Sequence, residues 1–572
     1  RSHPGAARPL LRDEPVTLIE RRIGLIFAGF LVLLAIAAVR SFQLGVVDRS
    51  SLASAASAQQ LINADVPAER GAIVDRGGKE LAVSEASGDV SATPYLIKDP
   101  VRVAAKLAGI VDEPEADLLK QLTRKDTGFV YLAKGVTGAR ADKVRALNIE
   151  GIDVAPGYKR WYPQATLASQ VLGITGADGE GKTGLEYSLE DTLRGEDGQR
   201  STVRDGVGES VSVRDTKKSV PGARVQLTID SAIQAKVESV LAGVGRTYDP
   251  KGATAVVMDP KTGSVYAMAN WPAVDANQLL PRDPYLSQNR AVGYTYEPGS
   301  TFKAITVAGA LEDKVVTPDS VFTLPPTLQI YDRVIKEAHE RGWAEMNVSQ
   351  ILAESSNVGA VTIALEQRKL KGKTRFDMWA RRFGFGKKTG IDLPGEEQGI
   401  LLQPKDYSGA TIANLPIGQG LAVTQVQMAQ AYAAVANGGI LREPHLIGAV
   451  DGKVTPPAAG QRIISAQTSA QLRHMLKGTF QAGGTAYGVS LDGYDFAGKT
   501  GTAEKIDPQT GTYSKDKYVA SFIGFAPAGN PGLLISVMVD EPKAVTSGGS
   551  VAAPAFAKIA EFALPQLGIP SR

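Results

Sequence analysis

The heptapeptide EPGSTFK, Glu297–Lys303, places a hydroxyl and an amine three positions apart in the sequence. The proline and glycine end any preceding element, and the mostly apolar or small run Ala304–Leu311 predicts a buried helix that begins near Ser300. Because residues i and i+3 share a helix face, Ser300 Oγ and Lys303 Nζ can point into one cleft. The helix dipole would favour a developing alkoxide on Ser300, and a hydroxyl beside an amine base is a known nucleophile arrangement.

A Ser-x-x-Lys pattern alone is weak support for catalysis, because the chain contains a second copy at Ser514–Lys517. The polar surroundings of that copy predict a solvated loop. Taken by itself, Ser300 is equally well interpreted as an N-capping serine with a surface lysine one turn later. Partners for the chemistry elsewhere in the chain must decide between these interpretations.

The composition limits the class of protein. A length of 572 residues with 43% hydrophobic content predicts two or three domains. The net charge of +3 and the lack of a basic block in the sequence argue against nucleic acid as a partner. The sequence has no cysteine, which excludes disulfides and thiolate chemistry, and its four histidines show no metal-ligand spacing. We therefore expect neither a metal nor a cofactor.

An apolar segment near the N-terminus predicts a membrane span over residues 23–47. Ile23–Val39 is uncharged and mostly apolar, and the span can extend to residue 47 if Arg40 reaches the interface or finds a partner. More arginines precede the segment than follow it, so residues 1–22 are predicted to be cytoplasmic and the rest of the chain external. A cleaved signal peptide is the alternative, since Ala35–Ala37 matches an A-x-A site.

Residues 48–220 are glycine-rich, with short apolar runs and turn signals that predict short strands and loops. An amphipathic helix is predicted near Ala104–Leu122. We find no set of acids, metal ligands or nucleophiles in this part of the sequence. We expect a β-rich, non-catalytic pedestal that lifts the next domain away from the membrane.

A second domain is predicted over residues 221–572. Its predicted strands are Val225–Ile229, Thr254–Met258, Ser264–Ala269, Phe496–Ala503, Val519–Phe525 and Leu533–Val539, and its predicted helices include Ser231–Leu241, Val423–Val435 and Pro554–Leu564. Strands at both ends with helices between them predict an α+β fold. One antiparallel sheet flanked by helices would be assembled from sequence-distant pieces, with a helical subdomain inserted.

Two downstream segments offer partners for Ser300. Ser355-Ser356-Asn357 supplies a hydroxyl and a carboxamide two positions apart. Lys499–Thr502 supplies a cation, two hydroxyls and a small residue in a predicted strand, which suits a substrate laid alongside it. Gly501 leaves room for a close approach of backbone.

Order and context carry this assignment, because Lys-Thr-Gly occurs four times. The copy at Lys261 lies in a predicted hairpin turn, that at Lys388 in a glycine-rich loop, and that at Lys182 outside the second domain. Lys499 alone begins a strand-like segment after both other motifs. Read singly, Ser355 and Asn357 would be helix caps and Lys499 a solvated strand lysine.

The set Ser-x-x-Lys, Ser-x-Asn and Lys-Thr-Gly resembles that of penicillin-binding proteins and serine β-lactamases. The chain is similar over almost its full length to class B penicillin-binding proteins, and most of all to the cell-division D,D-transpeptidases that make septal peptidoglycan. The resemblance rests on pedestal signatures at residues 70–77 and 184–186 and on domain-opening segments at 228–230 and 289–291. Segments 355–359, 383–396 and 499–502 favour the division branch over the elongation branch.

That resemblance implies the penicillin-binding transpeptidase fold and a serine acyl-enzyme. Ser300 would attack the carbonyl between the two terminal D-alanines of a stem peptide, and an amine of a neighbouring stem would resolve the acyl-enzyme. Lys303 would take the serine proton, for which it must be neutral. Moving a lysine pKa from about 10.4 to about 7 to 8 needs roughly 4 kcal/mol of differential environment, so we expect Lys303 to be deeply enclosed, near the charge of Lys499.

The resemblance also implies roles for the other motif residues. Ser355 would relay a proton to the leaving amine, and Asn357 would hold the substrate amide and position Lys303. Lys499, with Thr500, Gly501 and Thr502, would bind the terminal carboxylate, and the backbone N–H groups of Ser300 and Thr502 would form an oxyanion hole. Glu297 is expected to be structural, and β-lactams would acylate Ser300 as mimics of the dipeptide.

Other classes remain open at this point. An elongation-type class B transpeptidase would share the same motifs. A membrane-anchored β-lactamase would be shorter and needs a deacylation base that we do not identify, and a β-lactam sensor would carry several membrane spans. An inactive division scaffold would be expected to lack a motif residue, and the sequence retains them all.

The implied partners follow from the same family. They are peptidoglycan stem peptides, β-lactams, a lipid-II glycan polymerase of the SEDS (shape, elongation, division and sporulation) family, and small single-span division proteins. The polymerase is expected to contact the span and the pedestal. The implied location is the bacterial cytoplasmic membrane, with a single pass and an extracytoplasmic catalytic domain.

Overall fold

The computed structural model describes residues 17–47, 61–204, 210–278, 281–507 and 509–571. Residues 1–16 of the predicted cytoplasmic tail and residues 48–60 of the predicted pedestal lie outside these ranges. The described residues belong to two compact units, one drawn from Arg1–Val66 with Asp197–Ser219 and the other from Pro67–Glu196 with Val220–Arg572. The predicted pedestal is therefore divided between the units.

The strands, numbered along the chain, are β1 Leu61–Val66, β2 Ile73–Val74, β3 Glu80–Ala92, β4 Val130–Thr137, β5 Ile152–Trp161, β6 Gly198–Arg204, β7 Ser210–Lys217, β8 Val225–Leu227, β9 Gly252–Met258, β10 Val265–Trp271, β11 Thr295–Tyr296, β12 Val321–Leu324, β13 Thr327–Ile330, β14 Arg333–Lys336, β15 Ala344–Asn347, β16 Val423–Thr424, β17 Ile440–Leu441, β18 Ile447–Val450, β19 Lys453–Val454, β20 Gln461–Arg462, β21 Ala497–Ile506, β22 Tyr513–Ala526 and β23 Leu533–Asp540.

The α-helices are α1 Thr17–Phe42, α2 Pro100–Val111, α3 Glu115–Leu122, α4 Gly138–Ala146, α5 Ser169–Leu172, α6 Gly184–Ser188, α7 Glu190–Leu193, α8 Ser231–Tyr248, α9 Pro284–Ser287, α10 Arg290–Gly293, α11 Lys303–Glu312, α12 Val348–Ala353, α13 Asn357–Lys371, α14 Arg375–Arg382, α15 Thr411–Asn414, α16 Gln425–Ala436, α17 Ala466–Lys477 and α18 Gly548–Gln566. Short 3₁₀ turns include Gly299–Phe302, and a π-helical turn, Gln43–Val47, follows α1.

The first unit contains α1 and an antiparallel sheet in the order β1-β6-β7. Within α1, Arg21–Phe42 is long and apolar enough to cross a membrane, with a mean hydropathy of 2.5. This agrees in length and composition with the predicted span. Arg40 Nη1 donates a hydrogen bond to Gln43 Oε1 at 2.9 Å, so the charged group has a polar neighbour one turn away.

In the second unit the pedestal strands continue into the region predicted as catalytic. A sheet in the order β19-β18-β8-β2-β3-β4, with β5 also on β3, joins them. β2 and β8 are parallel, with Ile73 opposite Val225. Strand pairing therefore crosses the predicted boundary at residue 220.

The helix predicted over Ala104–Leu122 is instead two helices, α2 and α3. Asp112 adopts a left-handed conformation (φ 65°) and ends α2, with its N–H bonded to Ala108 O. Pro114 then occupies the N-cap position of α3 without a side-chain cap. A left-handed residue ends a helix, and a proline disfavours helical geometry in the residue before it, so the apolar periodicity continues across a real break.

The predicted antiparallel sheet is confirmed in the order β10-β9-β23-β22-β21. Alternate residues of each strand enter two separate cores. Ala253, Ala255 and Val257 of β9 pack with α8 and α18, whereas Val256 and Met258 pack with α16 on the other face. The hairpin turn predicted at Asp259–Gly263 connects β9 and β10.

Two smaller sequence predictions need correction. The helix predicted from Val423 begins at Gln425, because Thr424 caps it by accepting a hydrogen bond from Gln427 N. The second Ser-x-x-Lys copy, Ser514–Lys517, is not a loop but the outer end of strand β22. Its lysines are exposed, and pairing of Tyr513 with Ile506 extends the hairpin beyond the apolar part of the strand.

Candidate active site

Ser300 lies in the 3₁₀ turn Gly299–Phe302, which leads directly into α11. Of residues 298–311, all of which the structure describes, Ser300 alone is not buried. In a 3₁₀ turn residues i and i+3 eclipse each other, so Ser300 and Lys303 project on the same side. Gly299 has a φ of +52° and donates its N–H to Gly418 O at 3.0 Å, which anchors the turn.

Lys303 is enclosed, with 1% of its surface exposed. Its Nζ contacts Ser355 O at 2.5 Å, Asn357 Oδ1 at 2.6 Å and Ser355 Oγ at 3.2 Å. The first two predicted motifs therefore meet through direct hydrogen bonds.

The backbone of the second motif is specialised. Ser355 is held in the left-handed region at φ 64°, which is uncommon for a residue other than glycine. Ser356, not Ser355 or Asn357, caps α13 by accepting a hydrogen bond from Gly359 N at 2.9 Å. The helix cap that the sequence allowed for Ser355 or Asn357 is therefore Ser356. Ser355 and Asn357 contact Lys303 instead.

A carboxylate missed by sequence reasoning supports this motif from outside. Glu337 Oε2 accepts a hydrogen bond from the backbone N–H of Asn357 at 2.7 Å. Glu337 Oε1 accepts hydrogen bonds from Ser356 Oγ at 2.7 Å and from Arg341 Nη2 at 2.5 Å. Asn357 Nδ2 also donates to Lys336 O at 2.8 Å. Glu337 follows the β13–β14 hairpin, and no motif or spacing in the sequence marks it.

Burial lowers the pKa of Lys303 to about 7. The nearby Glu337 carboxylate raises this pKa and the Arg341 guanidinium lowers it. The sequence predicted a contribution from the charge of Lys499, and the two amines do lie close enough to repel each other. The Arg341 guanidinium is a second positive neighbour, which the sequence did not predict. The pKa lies in the range needed for a general base.

Lys499 is fully buried on β21, and its Nζ contacts Thr500 O at 3.2 Å and Thr500 Oγ1 at 3.3 Å. Burial holds the pKa of Lys499 well below its usual range, and repulsion from Lys303 lowers it further. The two amines are therefore close enough to interact. Neither points into solvent.

The Lys-Thr-Gly strand and the serine turn are in close contact at glycines. A Cβ on Gly501 would lie 3.0 Å from Thr301 Cγ2 and 3.1 Å from Pro298 O, and a Cβ on Gly299 would lie 3.1 Å from Thr502 O. Thr502 is exposed, whereas Thr500 is buried and shares a hydrogen bond of 2.6 Å with Thr485 Oγ1. The third motif thus lies beside Ser300.

Glu297 connects this turn to two neighbouring segments. Its Oε1 accepts Gly420 N at 2.8 Å, and the Tyr513 hydroxyl donates to both carboxylate oxygens at 3.1 and 3.2 Å. Burial raises the pKa of Glu297. The nearby Arg333 guanidinium lowers this pKa, and the Glu504 carboxylate raises it. These bonds agree with the structural role expected for this residue. No group of metal-ligating side chains occurs among the described residues.

Comparisons with known proteins place both parts of the chain in one family. A family model of the penicillin-binding protein transpeptidase domain matches residues 253–561, and one of the penicillin-binding protein dimerisation domain matches residues 65–227. Penicillin-binding protein PbpB of Mycolicibacterium smegmatis is 35% identical over 95% of this chain and 90% of its own length. Peptidoglycan D,D-transpeptidase FtsI of Escherichia coli is 31% identical over 96% of this chain and 93% of its own length.

A solved structure has the same fold. Penicillin-binding protein 3 of Mycobacterium tuberculosis, complexed with aztreonam, superposes with a TM-score of 0.71 at 32% identity, over 89% of this chain and 98% of that one. The matches cover both the pedestal region and the region that carries Ser300, Lys303 and Lys499. The chain therefore belongs to the class B penicillin-binding proteins, with a dimerisation domain followed by a transpeptidase domain.

Proposed function

We propose that the protein is a peptidoglycan D,D-transpeptidase that cross-links stem peptides during septal cell-wall synthesis through an acyl-enzyme on Ser300. β-Lactams inhibit it by acylating the same serine. The name of the E. coli relative, peptidoglycan D,D-transpeptidase, supports the reaction. The segments 355–359, 383–396 and 499–502 support the division branch over the elongation branch.

The environment of Lys303 is the observation that carries this proposal. A buried amine with a pKa of about 7 lies one 3₁₀ turn from the accessible Ser300 hydroxyl. The amine is therefore about half neutral at pH 7 and largely neutral above it, and the neutral form has a lone pair to take the serine proton. Contacts with the carbonyl of Ser355 and with Asn357 Oδ1 use its two hydrogens. The Ser355 hydroxyl, 3.2 Å from the amine, would relay the proton to the leaving amine.

The Lys499 strand is assigned to the terminal carboxylate of the donor. Lys499 has a lowered pKa in the free enzyme, and an arriving carboxylate would favour its protonated form. Thr500 and Thr502 add hydroxyl donors, and Gly501 permits the close approach of the strand to the serine turn. The N–H groups of Ser300 and Thr502 would hold the oxyanion, and each such donor is worth about two to three orders of magnitude in rate.

Acylation is tested by intact-mass analysis after treatment with a fluorescent penicillin. We expect one stable adduct, located on Ser300 by peptide mapping. Ser300→Ala should abolish labelling, and Ser514→Ala, in the second Ser-x-x-Lys copy, should not. Labelling that persists in Ser300→Ala would disprove the nucleophile, and an adduct lost within minutes would indicate a β-lactamase.

The cellular role needs a separate test. We propose that residues 23–47 anchor the protein in the cytoplasmic membrane, with its catalytic domain outside the cytoplasm. Its proposed partners are a SEDS-family polymerase and small single-span division proteins. A fluorescent fusion should collect at the septum, and depletion should produce filaments. Rounded or widened cells with a dispersed fusion would instead indicate the elongation-type enzyme.

A further inference from the structure

The strand that carries Lys499 has an open edge. Within the described residues, β21 is the last strand of its sheet and pairs only with β22. Backbone groups on the other edge can therefore pair with an added peptide, whose residues would follow the register of β21. The edge begins at the buried Lys499 and continues past Thr502 to Ile506.

The direction of the donor peptide along this edge follows from the proposed function. The terminal carboxylate lies at Lys499 and Thr500, and the scissile carbonyl lies at Thr502 beside Ser300. Earlier residues of the donor must then run towards Glu504, at about 3.3 Å per residue. Side chains two apart share a strand face, so Glu504 follows the exposed Thr502 on the same face.

Glu504 is only half-buried, and no lysine or arginine among the described residues lies within ion-pair distance of it. The adjacent Lys505 is engaged on the other face by Asp540 at 2.7 Å and Glu541 at 2.5 Å. Glu504 therefore presents an uncompensated charge beside the donor path.

The groups that face Glu504 leave this region negative. Its charge raises the pKa of both Glu297 and Tyr513. Arg333 is the cation that opposes this effect; it lies over the Tyr513 ring at 5.8 Å and donates to Gln419. Two carboxylates and one guanidinium thus border the path, and Glu297 is already bonded to Gly420 and Tyr513.

We propose that Glu504 is a specificity-determining residue that selects donor stem peptides with a positively charged side chain, an ammonium, on the residue preceding the two D-alanines. This inference rests on the proposed function and names the donor class for the same site. An ammonium of the acceptor stem has the same chemistry, and the kinetic test separates the two sources.

The test uses thioester donors in which the residue preceding D-alanine is lysine, norleucine or glutamate, with thiol release measured over a series of acceptor concentrations. Wild-type protein should show kcat/KM about fivefold higher for lysine than for norleucine, the effect of one partly exposed ion pair. Glu504→Gln should remove this preference, and Glu504→Lys should favour glutamate. Glu561→Gln, an exposed carboxylate on α18, is the matched control and should keep the wild-type preference.

Acylation by a fluorescent penicillin separates the possible failures. All variants should label at Ser300, which shows that they are folded; absence of labelling in wild type would overturn the proposed function itself. If labelling is normal but Glu504→Gln keeps the preference for lysine, the specificity role of Glu504 is wrong. If Glu504→Gln changes only the dependence on acceptor concentration, the ammonium belongs to the acceptor and the donor assignment is overturned.

Discussion

Lys303 has a buried amine with a pKa of about 7, so the rate of acylation should increase as the pH rises through this value. Below this pKa the amine is protonated and cannot accept the Ser300 proton, and above it the neutral base is present. We expect the second-order rate constant for acylation by penicillin to rise from about pH 6 and level off near about pH 8. Stopped-flow labelling across this range checks the profile, and a flat profile would contradict a base with this pKa.

Glu337 and Arg341 should move that profile in opposite directions. Glu337 raises the pKa of Lys303 and Arg341 lowers it, so Glu337→Gln should shift the inflection to lower pH and Arg341→Gln to higher pH. The measurement is the same acylation profile. Glu340→Gln, an exposed neighbour in the sequence, is the control and should leave the inflection in place. Shifts of the same sign in both variants would mean that altered packing, not charge, governs the amine.

At the scale of residues, the sequence predicted that the three motifs come together, and it did not predict the residues that support them. Ser300, Lys303 and Asn357 carry recognisable spacing, and the enclosure of Lys303 follows from what its chemistry requires. Glu337 depends on how a hairpin folds back onto the start of α13, which no local pattern encodes. The contribution of Arg341 to the lysine pKa was missed for the same reason.

At the scale of elements, β21 and the serine turn are in contact because position 501 is glycine. A Cβ there would lie 2.3 Å from Ser521 Oγ, a side chain that can move, but also 3.1 Å from the backbone oxygen of Pro298. We expect Gly501→Ala to displace the serine turn and slow acylation about a hundredfold. Gly109→Ala, in α2 with open space around it, should acylate at the wild-type rate. A normal rate in Gly501→Ala would show that the turn tolerates the shift.

The sequence predicted the ends of helices and strands where the local residue types mark them. It did not predict those ends where strand pairing or backbone geometry determines them. The start of the helix at Ser231 and the turn at Asp259–Gly263 were predicted from residue type. The break at Asp112 required a left-handed residue that the apolar periodicity conceals. The outer end of β22 at Ser514 is held by its partner strand and not by its own polar sequence.

At the scale of the whole second unit, a buried ion cluster links strand β5, helix α6 and the segment before β2. Glu186 is fully buried and accepts Arg70 Nε at 2.6 Å and Arg160 Nε at 2.7 Å. Removing the charge of Glu186 would leave two largely buried guanidinium groups without the carboxylate that helps to neutralise their positive charge.

We expect Glu186→Gln to destabilise the protein by about 3 to 5 kcal/mol and to lower the melting temperature clearly in calorimetry at a fixed scan rate. Glu150→Gln, from an exposed pair with Lys98, is the control and should leave the melting temperature unchanged. An unchanged melting temperature in Glu186→Gln would mean that the cluster is dispensable for stability.

The position of β23 has a consequence for biosynthesis. This strand, Leu533–Asp540, lies between β9 and β22, so the central member of the sheet leaves the ribosome after both of its neighbours. About 280 residues of sequence separate β9 from its partner, a distance that makes such pairing slow. The five-stranded sheet behind Ser300 can therefore be completed only when translation has passed residue 540. We expect a nascent chain that stops earlier to lack the assembled crevice in which a β-lactam acylates the serine.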